Sequence, residues 1–273
     1  MYLLVTDHCN LRCQYCFEDT PVLEKNFRPV HMTQKTAEHA INLFAKLANQ
    51  YGNPAKKKII HLYGGEPLLN SDVVKFAILY VENLKKQMAI PTDCEIAIVT
   101  NGVLLDDKLA SFFAEHRVIV GLSIDGPHDI NNTYRIGKNQ RLDVFQKVTE
   151  AYALLKKYRV KVGLSVTLTP LAIEQFDRLL TFFIDELGIL DGISLNLLHY
   201  TQNIIPDLSY YARATKCQLK AFEKFREIGI YEERIMRKVR SFVDRQTIYA
   251  DCGVVGNQLV VAPDGQIGVC QDF

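Results

Sequence analysis

Residues 2–16 read Tyr2-Leu3-Leu4-Val5-Thr6-Asp7-His8-Cys9-Asn10-Leu11-Arg12-Cys13-Gln14-Tyr15-Cys16. Tyr2–Val5 is a short apolar run of the kind that forms a strand covered on both faces. Three thiols follow at once, on what must be a loop, at positions 9, 13 and 16. Crowded thiolates are soft donors that select an iron–sulfur cluster, zinc or Cu(I). The C-x3-C-x2-C spacing suits zinc poorly, because structural zinc takes four ligands and usually two separated pairs. A [4Fe–4S] cube usually takes four cysteines. Three on one loop leave the fourth iron open to a substrate or cofactor.

The strand-then-loop pattern recurs along the chain. Apolar runs lie at Tyr2–Val5, Lys58–Tyr63, Glu95–Thr100, Val118–Ile124, Lys161–Thr167 and Gly192–Leu197. Helical periods separate them: Ala37, Ala40, Ile41, Phe44, Leu47 and Ala48; then Val74, Ala77, Ile78, Val81 and Leu84; then Phe176, Leu179, Leu180 and Phe183. Thr33 and Ser71 are the expected N-caps of the first two helices. Strands alternating with helices pair in parallel through helical crossovers. The strand starts recur about every 38 residues, so six units fit before residue 200 and eight would need about 300 residues. No GxGxxG follows the first strand, which weakens a dinucleotide-binding reading. The expected fold is α/β, a partial (β/α)6 TIM-like barrel.

Beyond residue 200, residues 208–229 and 231–245 read as helices, and Gln258–Ala262 and Gln266–Cys270 as a hairpin about Pro263-Asp264-Gly265.

The 273 residues are 48% hydrophobic and 23% charged, with 27 aromatics, an ordinary globular composition that excludes disorder. Net charge is +1, so no global field draws the chain to nucleic acid or to anionic lipid. No apolar run approaches the ~20 residues of a membrane span, and no secretory signal is visible. The expectation is a cytoplasmic protein with reduced thiols. Seven cysteines cannot pair completely, which again suits a metal site better than a disulfide scaffold. Cys94 and Cys217 lack ligand spacing, and His8, His61 and His199 read as loop, core or rim residues.

Cys9, Cys13 and Cys16, with Tyr15 before the last, resemble the C-x3-C-x-aromatic-C signature of radical S-adenosylmethionine enzymes. The resemblance implies a [4Fe–4S] cluster held by these three thiols, with S-adenosylmethionine chelated at the open iron. One-electron reduction would cleave that ligand to methionine and a 5′-deoxyadenosyl radical, which takes hydrogen from the substrate. Tyr63-Gly64-Gly65-Glu66-Pro67 matches the stretch that binds the methionyl amino group, through carbonyls and the Glu66 carboxylate. Strand-end residues then fall to the same cofactor: Ser123 and Ser165 ahead of Asp125, Thr100 and Asn196, with Arg135 for the carboxylate. The resemblance names no catalytic acid or base.

Cys252, Gly265 and Cys270 resemble the opening of the auxiliary-cluster extension called SPASM or twitch, found in radical peptide and protein maturases. Both thiols are expected ligands of a second iron–sulfur cluster that this length leaves incomplete. The expected organisation is a barrel over 1–200, a helical connection over 201–250 and the start of the extension over 251–273. The implied function is radical modification of a peptide or protein, such as a thioether crosslink. Implied partners are that substrate, a one-electron reductant such as flavodoxin or ferredoxin, and a separate leader-recognition protein. Two alternatives stand beside it: formylglycine formation resembling anaerobic sulfatase maturation, and a non-catalytic iron–sulfur or zinc-binding scaffold.

Overall fold

The computed structural model describes residues 1–16, 29–54, 56–139, 141–189, 191–199, 204–245 and 256–271. Six parallel strands run in sequence order: β1 (Tyr2–Thr6), β2 (Ile59–Gly64), β3 (Glu95–Thr100), β4 (Ile119–Ser123), β5 (Val162–Thr167) and β6 (Gly192–Asn196). Helices α1 (Gln34–Tyr51), α2 (Ser71–Lys86), α3 (Asp107–Glu115), α4 (His128–Tyr134), α5 (Val144–Lys157), α6 (Pro170–Glu174) and α7 (Phe176–Thr181) make the crossovers. Then come α8 (Leu208–Glu227), β7 (Tyr231–Glu232), α9 (Glu233–Val243) and the hairpin β8 (Val260–Val261) and β9 (Ile267–Gly268). The nine-stranded sheet runs β7-β6-β5-β4-β3-β2-β1-β8-β9 and does not close on itself. It is the α/β partial barrel that the strand spacing implied.

Alternation along the strands decides which face is covered. Val120 and Leu122, Leu164 and Val166, and Ile193 and Leu195 are buried beneath the helices. Their neighbours Gly121, Ser123, Gly163, Ser165, Thr167, Gly192, Ser194 and Asn196 lie on the opposite, half-buried face. That inner face is polar toward the carboxyl ends of β4–β6. Burial of Ile41, Ile78, Phe113, Leu155 and Phe183 fixes the outer helices to the sheet.

Two local expectations change. Thr33 caps α1 as expected, its Oγ1 accepting from Thr36 N at 3.1 Å. Ser71 is instead the first residue of α2, because a 3₁₀ turn (Pro67–Asn70) runs into it. Asn70 occupies the cap position, but its side chain is spent elsewhere, donating to Val5 O at 2.8 Å and Met32 O at 3.0 Å. The second change is at Tyr231–Glu232, read as helix from sequence, which pair in parallel with Gly192 and Ile193 of β6. Glu232 then caps α9 through both carboxylate oxygens.

The expected terminal hairpin is present. Ala262 N donates to Gln266 O at 2.9 Å, and Gly265 takes φ 92°, the left-handed region that makes glycine the fitting residue there. β8 joins β1 in parallel, so the hairpin extends the sheet beyond the strand that feeds the cysteine loop.

Candidate active site

The cysteine loop leaves β1 at Thr6 and is held by the backbone of a distant segment. Arg12 N donates to Ile136 O at 2.7 Å, Gln14 N to Tyr134 O at 2.9 Å, and Lys138 N to Asn10 O at 3.1 Å. Leu11 and Gly137 form an antiparallel bridge. The loop is therefore clamped by the chain that follows α4. Cys9 Sγ accepts from Leu11 N at 3.4 Å and from Asn101 Nδ2 at 3.8 Å. Burial pushes the Cys9 thiol up to about 12, opposed by the Leu11 N–H and the Arg135 charge. Among the described residues, no three His, Cys, Asp or Glu side chains converge closely enough to hold a single metal ion. A cubane binds each thiolate through a different iron, so it does not require them to converge on one point. The donor chemistry of Cys9, Cys13 and Cys16 fits such a cluster.

Gly64–Pro67 lies directly against this loop. Gly65 N donates to Thr6 O at 2.9 Å and Glu66 N to His8 O at 2.8 Å. A Cβ on Gly65 would sit 2.5 Å from His8 O, so only glycine permits the two backbones to meet. The Glu66 carboxylate, expected to face an ammonium, is fully buried and takes three protein donors. These are Thr100 Oγ1 at 2.6 Å, Leu68 N at 3.0 Å and Asn101 N at 2.8 Å. It ties the end of β3 to the stretch that follows β2. Burial raises its pKa, and those three donors oppose the rise.

Tyr15, Asp125 and Arg135 form a third, buried group. The Tyr15 hydroxyl donates to Asp125 Oδ2, and Arg135 Nη1 donates to the Tyr15 oxygen at 2.7 Å. Arg135 Nη1 lies 3.8 Å from Asp125 Oδ2, and Thr167 N donates to Asp125 Oδ1 at 2.9 Å. Burial pushes Asp125 up, opposed by the nearby guanidinium. Burial also disfavours the charge on Arg135, but Tyr15, Cys13 and Asp125 outweigh it and hold the group well above its usual range. Arg135 Nε is buried with no hydrogen-bond partner among the described residues.

Ser123 and Ser165 are cross-strand partners at the ends of β4 and β5. Cys270, beyond β9, is half-buried, and its expected partner Cys252 lies outside the described residues. Cys94 and Cys217 are buried in the core. Two residues exceed what the sequence indicated. Asp125 is fully buried; an acidic residue closing an apolar strand before Gly126 was the available signal. Arg234 of α9 reaches Asn196, and no motif marks it.

The model of the radical SAM superfamily matches residues 3–183, which include the cysteine loop, Gly64–Pro67, Ser123, Asp125, Arg135 and Ser165.

The chain belongs to the radical SAM superfamily.

Members of this superfamily use a [4Fe–4S] cluster and S-adenosylmethionine. A cysteine-type anaerobic sulfatase-maturating enzyme of Clostridium perfringens is 29% identical over 289 residues, covering 97% of this chain and 71% of that protein. The structure of native anSMEcpe with bound AdoMet and Cp18Cys peptide superposes with a TM-score of 0.78 at 20% identity, over 100% of this chain and 73% of that one. Streptococcus suis SuiB bound to precursor peptide SuiA gives a TM-score of 0.69 at 16% identity, over 100% of this chain and 59% of that one. The chain spans about half the length of several curated relatives that it matches, 46% and 56% for two of them. This radical SAM chain carries the sheet, the cysteine loop and the β8–β9 hairpin. No helix among its described residues is long and apolar enough to cross a membrane.

Proposed function

We propose that this radical SAM chain is an enzyme that initiates hydrogen abstraction from a peptide or protein side chain. Cys9, Cys13 and Cys16 would hold the [4Fe–4S] cluster. When bound, the reduced cluster supplies an electron that cleaves S-adenosylmethionine to methionine and a 5′-deoxyadenosyl radical. The chain's own residues bind, orient and exclude. The Gly64–Pro67 backbone, brought close by two glycines, would receive the methionyl ammonium. Arg135, a buried cation with an unsatisfied Nε–H, would face the carboxylate of the same ligand. Tyr15, bonded to Arg135, orients that guanidinium. Ser123 and Ser165 would contact ribose or carboxylate oxygens.

The observation that carries this reading is the clamped cysteine loop beside Gly64–Pro67, at the carboxyl ends of parallel strands where barrel chemistry is carried. The peptide-bound anSMEcpe and SuiB neighbours support a peptide or protein substrate. The likeness to a sulfatase-maturating enzyme favours a second reading within the same chemistry, oxidation of a Cys or Ser side chain to formylglycine. A one-electron reductant such as flavodoxin or ferredoxin, and a separate leader-recognition protein, belong to the proposal. So does an auxiliary cluster begun by Cys252 and Cys270 in a segment over 251–273.

The test is anaerobic reconstitution followed by S-adenosylmethionine and dithionite. The expected result is 5′-deoxyadenosine, with iron and sulfide near four each per chain. Cys13→Ala should lose both. Normal iron loading without 5′-deoxyadenosine would overturn the radical reading. Unchanged iron in Cys13→Ala would overturn the ligand assignment. Offering a sulfatase-derived cysteine peptide and looking for formylglycine by mass spectrometry separates the two substrates.

A further inference from the structure

The inner face of β4–β6 carries three rows of residues in register. Gly121, Gly163 and Gly192 form one row, Ser123, Ser165 and Ser194 the next, and Thr167 and Asn196 the last. A Cβ on Gly163 would meet nothing within 4 Å, so open space stands over the middle of this face. Ser165 stands two residues from Gly163 on the same strand face and overlooks that space.

A directed chain of hydrogen bonds ends at Ser165. Arg234 donates to Asn196 Oδ1 through Nε at 3.0 Å and also through Nη2. Ser194 Oγ donates to the same oxygen at 3.0 Å, and Asn196 Nδ2 donates to Ser165 Oγ at 3.0 Å. The direction is forced. A guanidinium has five donors and no acceptor, so the Asn196 atom facing it must be the carbonyl oxygen. The amide nitrogen must then face Ser165. Because Ser165 Oγ accepts that bond, its own proton is left to donate toward the open face.

We propose that Arg234 and Asn196 are positioning residues that fix Ser165 as a hydrogen-bond donor to an acceptor oxygen of bound S-adenosylmethionine. This rests on the function proposed above and adds two residues that lie beyond the matched family segment. Arg234 stands on α9, which is packed on β6 by the short β7 pairing. The segment after the sixth strand thereby sets the hydrogen-bond polarity of a site that the strands build.

Asn196→Asp is the decisive variant. It keeps the size of the side chain and strengthens the bond to Arg234, but it leaves only acceptors facing Ser165. The Ser165 hydroxyl must then donate to the introduced carboxylate and is lost to the ligand. Affinity for S-adenosylmethionine is read by equilibrium dialysis on the cluster-loaded chain without reductant, alongside the thermal midpoint. The expected loss is about three- to tenfold, since one hydrogen bond to the ligand is removed. The midpoint should stay within about 2 °C of wild type. Ser165→Ala should lose a similar factor, and Asn196→Asp in that background should add less than about twofold. Arg234→Gln, on the exposed side of α9, frees the amide to turn over and should lose about threefold. Wild-type affinity in Asn196→Asp or in Arg234→Gln overturns the inference. So does an equal loss from Asn196→Asp with and without Ser165, which would mark simple charge repulsion. A wild-type chain that loads iron yet binds no S-adenosylmethionine overturns the function on which the inference rests.

Discussion

Asp125→Asn removes the charge of a fully buried carboxylate while keeping its shape. Asp125 Oδ2 lies 3.8 Å from the buried Arg135 guanidinium. At an effective dielectric near 20, that separation corresponds to about 4 kcal/mol of attraction. The hydrogen bonds are partly recoverable, because the introduced amide can still accept from Thr167 N and can donate to Tyr15. The charge is not recoverable, and Arg135 would be left buried without its nearest anion. A net loss of about 3 kcal/mol follows, within the range for breaking a buried pair. For a chain of this size the thermal midpoint should fall by about 6–12 °C. Circular dichroism melts of the metal-free protein measure it, with urea midpoints as a second reading. Arg135→Met in the Asp125→Asn background should recover part of the loss, since no uncompensated charge remains. A midpoint within about 2 °C of wild type would refute the reasoning. So would strictly additive costs of the two substitutions, because additivity would mean that the two groups do not interact.

Acid should weaken the fold through His61. Burial lowers its pKa from 6.5 to about 4, and the ring stacks on Tyr2 at 4.6 Å. The folded value lies below the unfolded one, so this contribution is complete above pH 6.5 and is lost as pH falls toward 4. Between pH 7 and 5 the loss amounts to about 2 kcal/mol, and urea midpoints of His61→Leu should lack that part of the slope. Thr100→Val removes the shortest donor to the buried Glu66 carboxylate, 2.6 Å away, and should cost about 1.5–3 kcal/mol in urea denaturation.

The parts legible in the sequence are those governed by local pattern. The six long strands follow from apolar runs bounded by turns, and the cysteine loop follows from its spacing. Parallel order follows from the helices between strands. The parts that were not legible depend on distant partners. Ser71 has the chemistry of a cap, but Asn70 holds that position because Val5 and Met32 claim its amide. Tyr231–Glu232 continue a helical pattern in sequence, yet β6 leaves an edge on which they pair. Glu66 carries an obvious motif, but its carboxylate is directed by Thr100 and Asn101, more than thirty residues away. Arg234 has no local signature because its role depends on where α9 lands.

The clamp on the cysteine loop also bears on the order in which the chain can assemble. Arg12, Gln14 and Asn10 are held by residues 134–138, about 120 positions later. Closing so long a span carries a large entropic cost, so it follows the sheet rather than leading it. At synthesis rates of roughly 5–20 residues per second, the three thiols emerge about 6–24 seconds before their anchor exists. During that interval the three thiols lack the backbone anchor that holds their loop in the folded chain. Iron–sulfur delivery to a nascent chain would therefore meet a different ligand from the one in the folded protein, one not yet committed to three-point geometry.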